Sequence, residues 1–265
     1  MYKLLQYPKP GSSQGVANTW DDKYQAEDFN FQEKVFERQI FWPLLKQQLT
    51  LGGRYLDAGC GRGGWVWFLS KRGYEISGID IALGTLERAK QKHPGLQLSA
   101  ASITNLPQAD NSLDGVLVLG TFEYLEDQLQ RSLAEVHRVL KPGGWIFIEA
   151  PLLNLLRLVF YLPVKTVERV FKRFLGSRST FAYYLFSRQE LEELLRTSGF
   201  TVHVVQPHEL PDQNCHFGLY TDWRILRGRK PYQLNWAGRA IKAIANFISP
   251  WLASTGVVVV ATKSR

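Results

Sequence analysis

The run Asp57-Ala58-Gly59-Cys60-Gly61-Arg62-Gly63-Gly64 places a carboxylate directly ahead of a glycine-rich turn. Tyr55 and Leu56 lead into the acid, and Trp65, Val66, Trp67, Phe68 and Leu69 begin a new apolar pattern at helical spacing. That pattern is a strand, a tight turn and a helix start. Glycines there let the backbone take positive φ and let a ligand approach the main chain. The helix start aims unpaired N–H groups and a positive dipole end at the turn. The expected guest is a nucleotide-like molecule with an anionic end. Gly59, Gly61 and Gly64 also satisfy the G-x-G-x-x-G spacing of a dinucleotide site, so the glycines do not decide between ligands. The acids do. Asp80, 21 positions after Gly59, ends the run Tyr74-Glu75-Ile76-Ser77-Gly78-Ile79, where a carboxylate can accept from both ribose hydroxyls. Asp57 repels a pyrophosphate and suits a ligand carrying an ammonium or sulfonium charge.

Four blocks, in order and at characteristic distances, carry a family resemblance. They are Leu56-Asp57-Ala58-Gly59-Cys60-Gly61-Arg62-Gly63, Gly78-Ile79-Asp80, Leu106-Pro107 with Asn111-Ser112-Leu113-Asp114, and Val139-Leu140-Lys141-Pro142-Gly143-Gly144. Over about residues 50–152, and more weakly over Phe186 to Phe200, the chain resembles the class I S-adenosylmethionine-dependent methyltransferases of the small-molecule type. The resemblance implies that the first block (Asp57, Ala58, Gly59, Gly61) wraps the methionine part of S-adenosylmethionine. It implies that Asp80, with Ile81 beside it, holds the ribose. The family often binds the adenine amino group through an Asp in the third block. Here Ser102 stands at that place next to Ile103, which leaves the Ser102 hydroxyl and backbone groups for adenine.

The elements that must position these groups follow from periodicity. Residues 1–19 read as a loosely docked arm, broken by Pro8, Pro10, Gly11 and Gly15. Trp20 and Tyr24 come next, and by resemblance such aromatics cover the sulfonium in a cation–π arrangement. Phe31 to Leu49 reads as one amphipathic helix. After the strand ending at Asp80 come a helix from about Leu83 to Gln91 and a short strand at Leu96 to Ala100. Gly115-Val116-Leu117-Val118-Leu119-Gly120 suits a central parallel strand covered on both faces. Ligands collect beyond the carboxyl ends of such strands, so Gly120, Thr121, Phe122, Glu123 and Tyr124 are expected to face cofactor or substrate. A helix to Leu140, a strand at Trp145 to Glu149, and a helix with Ser187 and Glu190 as a capping box follow. Strands at Phe200 to Val205 and Gly256 to Thr262 complete the set. The fold class is α/β: a Rossmann-like, doubly wound, seven-stranded sheet, its last strand antiparallel by resemblance, with helical cap insertions.

The 265 residues suit one domain: an N-terminal arm and helix (1–50), a cofactor-binding core (51–151) and two cap insertions (152–185 and 206–255). The first insertion pairs Val164, Val167, Val170, Phe171 and Phe174 with Lys165, Arg169, Lys172 and Arg173 on the other face, with Pro163 at a first helical position. Its preceding apolar run contains Asn154 and Arg157 and is too short to span a bilayer. The second insertion holds His208, Glu209, His216, the cations Arg224, Arg227, Arg229 and Lys230, and an apolar helix from Trp236 to Trp251. Charge is uneven: residues 1–150 carry 16 Lys and Arg against 17 Asp and Glu, whereas residues 151–265 carry 16 against 7. Such a bias attracts anionic partners. Together the insertions read as a hydrophobic cap for an apolar, aromatic or lipid-like acceptor, with peripheral contact to an anionic membrane. Cys60 and Cys215 make neither a disulfide framework nor a metal cluster, and the N-terminus lacks the apolar run of a signal peptide, so cytoplasmic location and no metal are expected.

Methyl transfer from a sulfonium is an in-line displacement in which alignment contributes roughly 7–11 kcal/mol in well-oriented cases. A protein base is needed only when the acceptor loses a proton, and Glu123, Tyr124, His208 and His216 are the candidates. Related enzymes often carry His after the Glu matching Glu123; Tyr124 stands there instead. A nucleic-acid substrate is disfavoured because Gly120-Thr121-Phe122-Glu123 is not the Asp/Asn-Pro-Pro-aromatic turn that holds a flipped base. A nicotinamide oxidoreductase fits the glycines but not Asp57, and a binding scaffold without turnover is the non-enzyme alternative.

Overall fold

The computed structural model describes residues 2–6, 13–25, 27–176, 180–208, 234–252 and 254–264. In chain order the elements are β1 (Tyr2–Gln6), α1 (Ser13–Gln25), α2 (Glu33–Glu37), α3 (Trp42–Gln48), β2 (Arg54–Ala58), α4 (Gly64–Ser70), β3 (Glu75–Asp80), α5 (Leu83–Lys92), β4 (Leu98–Ala100) and β5 (Leu113–Leu119). Then come α6 (Leu129–Val139), β6 (Leu140–Pro151), α7 (Leu162–Phe174), β7 (Thr180–Leu185), α8 (Arg188–Thr197), β8 (Phe200–His208), α9 (Trp236–Ile248) and β9 (Gly256–Lys263). Seven strands form one sheet in the order β4-β3-β2-β5-β6-β9-β8. The first five are parallel, and β9 runs antiparallel to both β6 and β8, as the sequence leads one to expect.

Period-two alternation splits the sheet between two cores. Leu56, Val116, Val118, Ile146, Ile148, Val257 and Val259 face α6 and α8, which bring Leu133, Val136, Leu191 and Leu195. Tyr55, Leu117, Trp145, Phe147, Val258 and Val260 face the opposite layer, where α3, α4 and α5 bring Leu45, Val66, Phe68, Leu69 and Leu86. Both faces are covered, which is why the central strands read as unbroken apolar runs. The capping box at Ser187 and Glu190 is present, with each side chain satisfying the other's backbone N–H.

The third and fourth sequence blocks have a structural job at the far end of the sheet. The Asp114 carboxylate accepts from Lys141 Nζ at 2.7 and 2.8 Å and from the Arg54 amide at 2.9 Å. Arg138 donates to the carbonyls of Leu106 and Gln108, both at 2.9 Å, and so fixes the loop before β5.

Three expectations need correction. The N-terminal segment is not a loose arm. Tyr2–Gln6 pairs antiparallel with β7, from Tyr2 opposite Leu185 to Gln6 opposite Thr180, and α1 starts at Ser13. Phe31 to Leu49 is two short helices rather than one, because Pro43 has no N–H to continue a ladder and stands at the start of α3. Pro163 does not begin a helix either. The chain is already helical at Arg157–Tyr161, in a wider π turn, and Pro163 is the second residue of α7. A proline there cannot donate to the residue four back, and the wider turn accommodates it. Asn154, expected merely to interrupt an apolar run, caps this helix: its Oδ1 accepts from the Arg157 amide at 2.7 Å, and its amide donates to the Ser254 carbonyl at 2.9 Å.

Candidate active site

β2 delivers Asp57 to the carboxyl edge of the sheet, where only 2% of it is exposed. Burial, and then the neighbouring charge of Asp80, push its carboxyl up to about 7. Gly59 and Cys60 donate to the Ile79 carbonyl at 2.8 and 2.9 Å, which folds the turn back onto β3. Gly59 has a φ of +87°, and a Cβ there would stand 2.1 Å from Thr121 Oγ1. Gly120, at φ +65°, turns the chain at the end of β5 so that Thr121 can make this approach. Asp80 accepts from the Gly61 amide at 2.8 Å and the Ala82 amide at 2.9 Å, so the carboxylate expected to hold a ribose also clamps the turn.

The cover over the turn comes from α1. Tyr24 lies over Gly61, where an added Cβ would be 2.9 Å from its hydroxyl. Burial and then Asp80 raise the Tyr24 phenol above its ordinary value, so it stays neutral. Trp20 stacks on Tyr24 at 5.9 Å, meets Tyr124 edge-on at 4.8 Å, and has Lys23 Nζ 4.2 Å above its ring. Asp21 holds α1 in place, and the sequence reading missed it. Ala82, at the N-cap of α5, has no side-chain oxygen to offer, and Asp21 supplies one from across the fold: it accepts from the Gly84 and Thr85 amides at 3.3 and 2.6 Å and from Thr85 Oγ1 at 2.6 Å. Asp21→Ala is expected to cost about 1–2 kcal/mol of stability in urea unfolding. It is also expected to weaken S-adenosylhomocysteine binding by releasing Trp20 and Tyr24, whereas unchanged binding would detach α1 from the site.

The other predicted cofactor residues fall on the same edge. Ile81 is exposed beside Asp80, while Ile103 is buried in the core. Ser102 Oγ lies 2.8 Å from Thr104 Oγ1 and accepts from the Thr104 amide at 3.2 Å, so its hydroxyl is partly engaged.

The base candidates separate. Glu123, 6% exposed, and His208, 1% exposed, are buried, whereas Tyr124 sits at the surface of the cover and His216 lies outside the described residues, as do Glu209 and the cations at 224–230. Glu149, given no role from sequence, lies with the first two. His208 Nε2 is 3.8 Å from Glu149 Oε1. A Cβ on Gly120 would be 3.6 Å from Glu123 Oε1 and 3.8 Å from Glu149 Oε2. Burial, then the charge of Glu149, raise the Glu123 carboxyl well above its ordinary value, and burial pushes Glu149 up to about 7 and His208 down to about 4. The signal available for Glu149 was its place: an acid at the carboxyl end of an apolar central strand. Among the described residues no group of His, Cys, Asp and Glu is arranged to hold a metal.

A doubly wound sheet with a buried acid ahead of a glycine turn, an acid on the next strand and an aromatic cover defines a nucleoside-binding enzyme of the methyltransferase class. Comparison with known proteins agrees. Residues 56–148 match a family model described as a methyltransferase domain. A demethylmenaquinone methyltransferase of Staphylococcus epidermidis is 31% identical over 210 residues, covering 73% of this chain and 85% of that protein. Among solved structures, a SAM-dependent methyltransferase from Methanosarcina mazei shares the fold at a TM-score of 0.56 with 21% identity, over 84% of this chain and 97% of that one. A 1,6-didemethyltoxoflavin-N1-methyltransferase of Burkholderia thailandensis, bound to S-adenosylhomocysteine, superposes at 0.56 with 17% identity, over 98% of this chain and 95% of that one. The chain belongs to the class I S-adenosylmethionine-dependent methyltransferases. It is an enzyme, and its cofactor is S-adenosylmethionine. The residues present fit that cofactor: the glycine cradle has no room for a Cβ, and the Asp57 carboxyl, buried beside the like charge of Asp80, matches an ammonium or sulfonium.

Proposed function

We propose that this enzyme methylates an apolar aromatic acceptor of the demethylmenaquinone kind, taken from an anionic membrane surface on the cytoplasmic side. When bound, S-adenosylmethionine supplies an electrophilic methyl group on a sulfonium. Asp57, Ala58, Gly59 and Gly61 hold its amino-acid part, Asp80 and Ile81 the ribose, Ser102 and Ile103 the adenine, and Gly120, Thr121 and Tyr24 close over it. The chain is one domain whose two insertions cap the core.

The observation that carries the acceptor and the membrane is the inversion of two helices. On α7 the apolar residues Val164, Val167, Val170, Phe171 and Phe174 are exposed, with Phe174 88% exposed. Lys165, Glu168, Arg169 and Lys172 are half-buried. On α9, Trp236, Ile241, Ile244, Phe247 and Ile248 are exposed, Phe247 to 92%. An apolar face of that extent marks an interaction surface. Arg173 and Arg239 stand exposed on these helices, in a half of the chain whose cations outnumber its acids by 16 to 7. Amphipathic helices with basic flanks lie in the interface of an anionic bilayer. Among the described residues no helix is long and apolar enough to cross one.

The test uses phosphatidylcholine vesicles with or without phosphatidylglycerol, loaded with reduced demethylmenaquinone and supplied with S-adenosylmethionine. The protein is expected to sediment with the anionic vesicles and to form a quinol heavier by one CH2. Absence of that product would remove the acceptor. Failure to sediment, with a dimer in solution, would assign the apolar faces to a second copy of the chain.

A further inference from the structure

Glu149, Glu123 and His208 reach one point from three elements, and the cofactor cradle explains none of them. Glu149 is on β6, His208 ends β8, and Glu123 lies in the 3-10 turn Phe122–Tyr124 after β5. The Glu149 carbonyl accepts from the Gly120 amide at 3.1 Å, which locks the end of β6 to the turn that carries Thr121. Thr121 packs on Gly59, so the trio stands one residue from the methyl donor's cradle. Two glycines make room for the Glu149 side chain. Its Oε2 faces Gly120 and Glu123, and its Oε1 faces Gly256, where a Cβ would come within 3.0 Å of it and 3.2 Å of His208 Cδ2.

Burying such groups is costly unless they are satisfied. Yet Glu123 Oε2 and both ring nitrogens of His208 have no hydrogen-bond partner among the described residues. His208 instead rests edge-on against Phe41 at 5.1 Å and points Nε2 toward Glu149. Unsatisfied buried groups of this kind are retained where chemistry needs them. The side chain of Glu149 is 16% exposed, against 1% for His208, so the carboxylate is the more accessible of this pair.

We propose that Glu149 is the base that takes the acceptor's proton, with Glu123 and His208 as the positioning residues that keep it poised. The inference rests on the reading of the function as methylation of an acceptor that must lose a proton. One proton passes from the acceptor to Glu149 Oε2. The electron pair left behind, on or conjugated to the accepting atom, forms the bond to the methyl carbon, and the pair of the broken S–C bond returns to sulfur. The positive charge of the sulfonium and the negative charge of the carboxylate disappear together. Burial beside neutral His208 raises the affinity of Glu149 for a proton, and a base with a near-neutral pKa is the most effective at neutral pH. The ionisable groups around it are Glu123 from the 3-10 turn, His208 from β8, and Lys23 of α1, which acts on Glu123.

E149Q keeps the shape and removes the base. With reduced demethylmenaquinone in phosphatidylglycerol vesicles, kcat is expected to fall by about 10²–10⁴, the usual contribution of a positioned base. The near-neutral limb of its pH profile is expected to vanish while S-adenosylhomocysteine affinity is unchanged. In infrared titration of the cofactor-free protein carrying Asp57→Asn, which removes the other carboxyl raised to about 7, adding E149Q is expected to remove a carboxylic C=O band lost on passing from pH 6 to 8, about one unit either side of neutrality. Wild-type kcat and pH profile in E149Q, or persistence of that band, would overturn the assignment. A wild type that binds S-adenosylhomocysteine but does not methylate this quinol refutes the choice of acceptor instead, and the infrared comparison still decides for or against Glu149.

Discussion

Gly59→Ala is expected to abolish cofactor binding while the sheet still forms. The residue sits at φ +87°, a region that costs an L side chain roughly 1–2 kcal/mol. The larger effect is contact: the new Cβ would lie 2.1 Å from Thr121 Oγ1 and 2.7 Å from its Cγ2. Thr121 follows directly on Gly120, which is tied to β6 through the Glu149 carbonyl, so it has little freedom to retreat. The turn must move instead, carrying Asp57 and Gly61 out of register with Asp80. In calorimetry, S-adenosylhomocysteine affinity is expected to drop at least about a hundredfold, the equivalent of roughly 2.8 kcal/mol, with far-ultraviolet circular dichroism unchanged. Adding Thr121→Gly removes the clash and leaves the strain, so the double variant is expected to recover part of the loss. If Gly59→Ala binds as tightly as the wild type, the close approach of Thr121 does not shape the cradle.

Asp57→Asn is expected to separate stability from binding. Burial and the charge of Asp80 put the native carboxyl at about 7 in the cofactor-free protein, well above its ordinary 3.8. A folded-state pKa raised in this way favours the protonated form. Its stabilising contribution is full below the unfolded value and is lost as pH rises through about 7. The neutral amide escapes that loss, so the variant is expected to be more stable than the wild type at pH 8, by on the order of a few kcal/mol, and no more stable near pH 4. Binding runs the other way. The ligand's ammonium group prefers the ionised carboxylate, so wild-type affinity for S-adenosylhomocysteine should rise with pH up to about 7 and level off above it. Losing a charge-assisted hydrogen bond, worth roughly 1.5–3 kcal/mol, should weaken the variant about tenfold to a hundredfold at pH 8 and flatten its pH dependence. Binding by the variant that still follows wild-type pH dependence would move the titrating group elsewhere. Destabilising a buried acid to bind a cation is a common exchange of stability for function.

The cofactor site was legible in the sequence because its chemistry is local. Asp57, Gly59 and Gly61 lie within five residues, and a strand, a turn and a helix start are each specified by short-range pattern. Asp80 was legible for a similar reason: the β-α-β unit sets the spacing between the ends of adjacent parallel strands. The doubly wound class also followed, since unbroken apolar runs and turn residues alternate along the chain, whereas the antiparallel β9 was expected only from the family resemblance.

Contacts between distant segments are encoded too, but not where they can be read. Asp21 caps a helix more than sixty residues away. The first residues pair with a strand near residue 180. Neither partner leaves a periodic trace, because one side-chain oxygen or one edge of backbone amides is enough for the job. The inverted faces of α7 and α9 are a sharper case. The amphipathic spacing of α7 and the apolar character of α9 were plain, but sequence pattern gives the extent of an apolar stripe and not its direction, and only packing shows that these residues face outward. Glu149 differs again. Its sequence neighbours mark it as the end of an apolar strand, but its raised proton affinity arises from burial, in a place shared with Glu123, His208, Gly120 and Gly256, which the chain brings together from three other strands or strand ends. Local pattern determined what the cofactor site is made of. Tertiary packing decided which acids are dry, which helices face outward and what lies beside the methyl donor, because desolvation depends on all the neighbours at once.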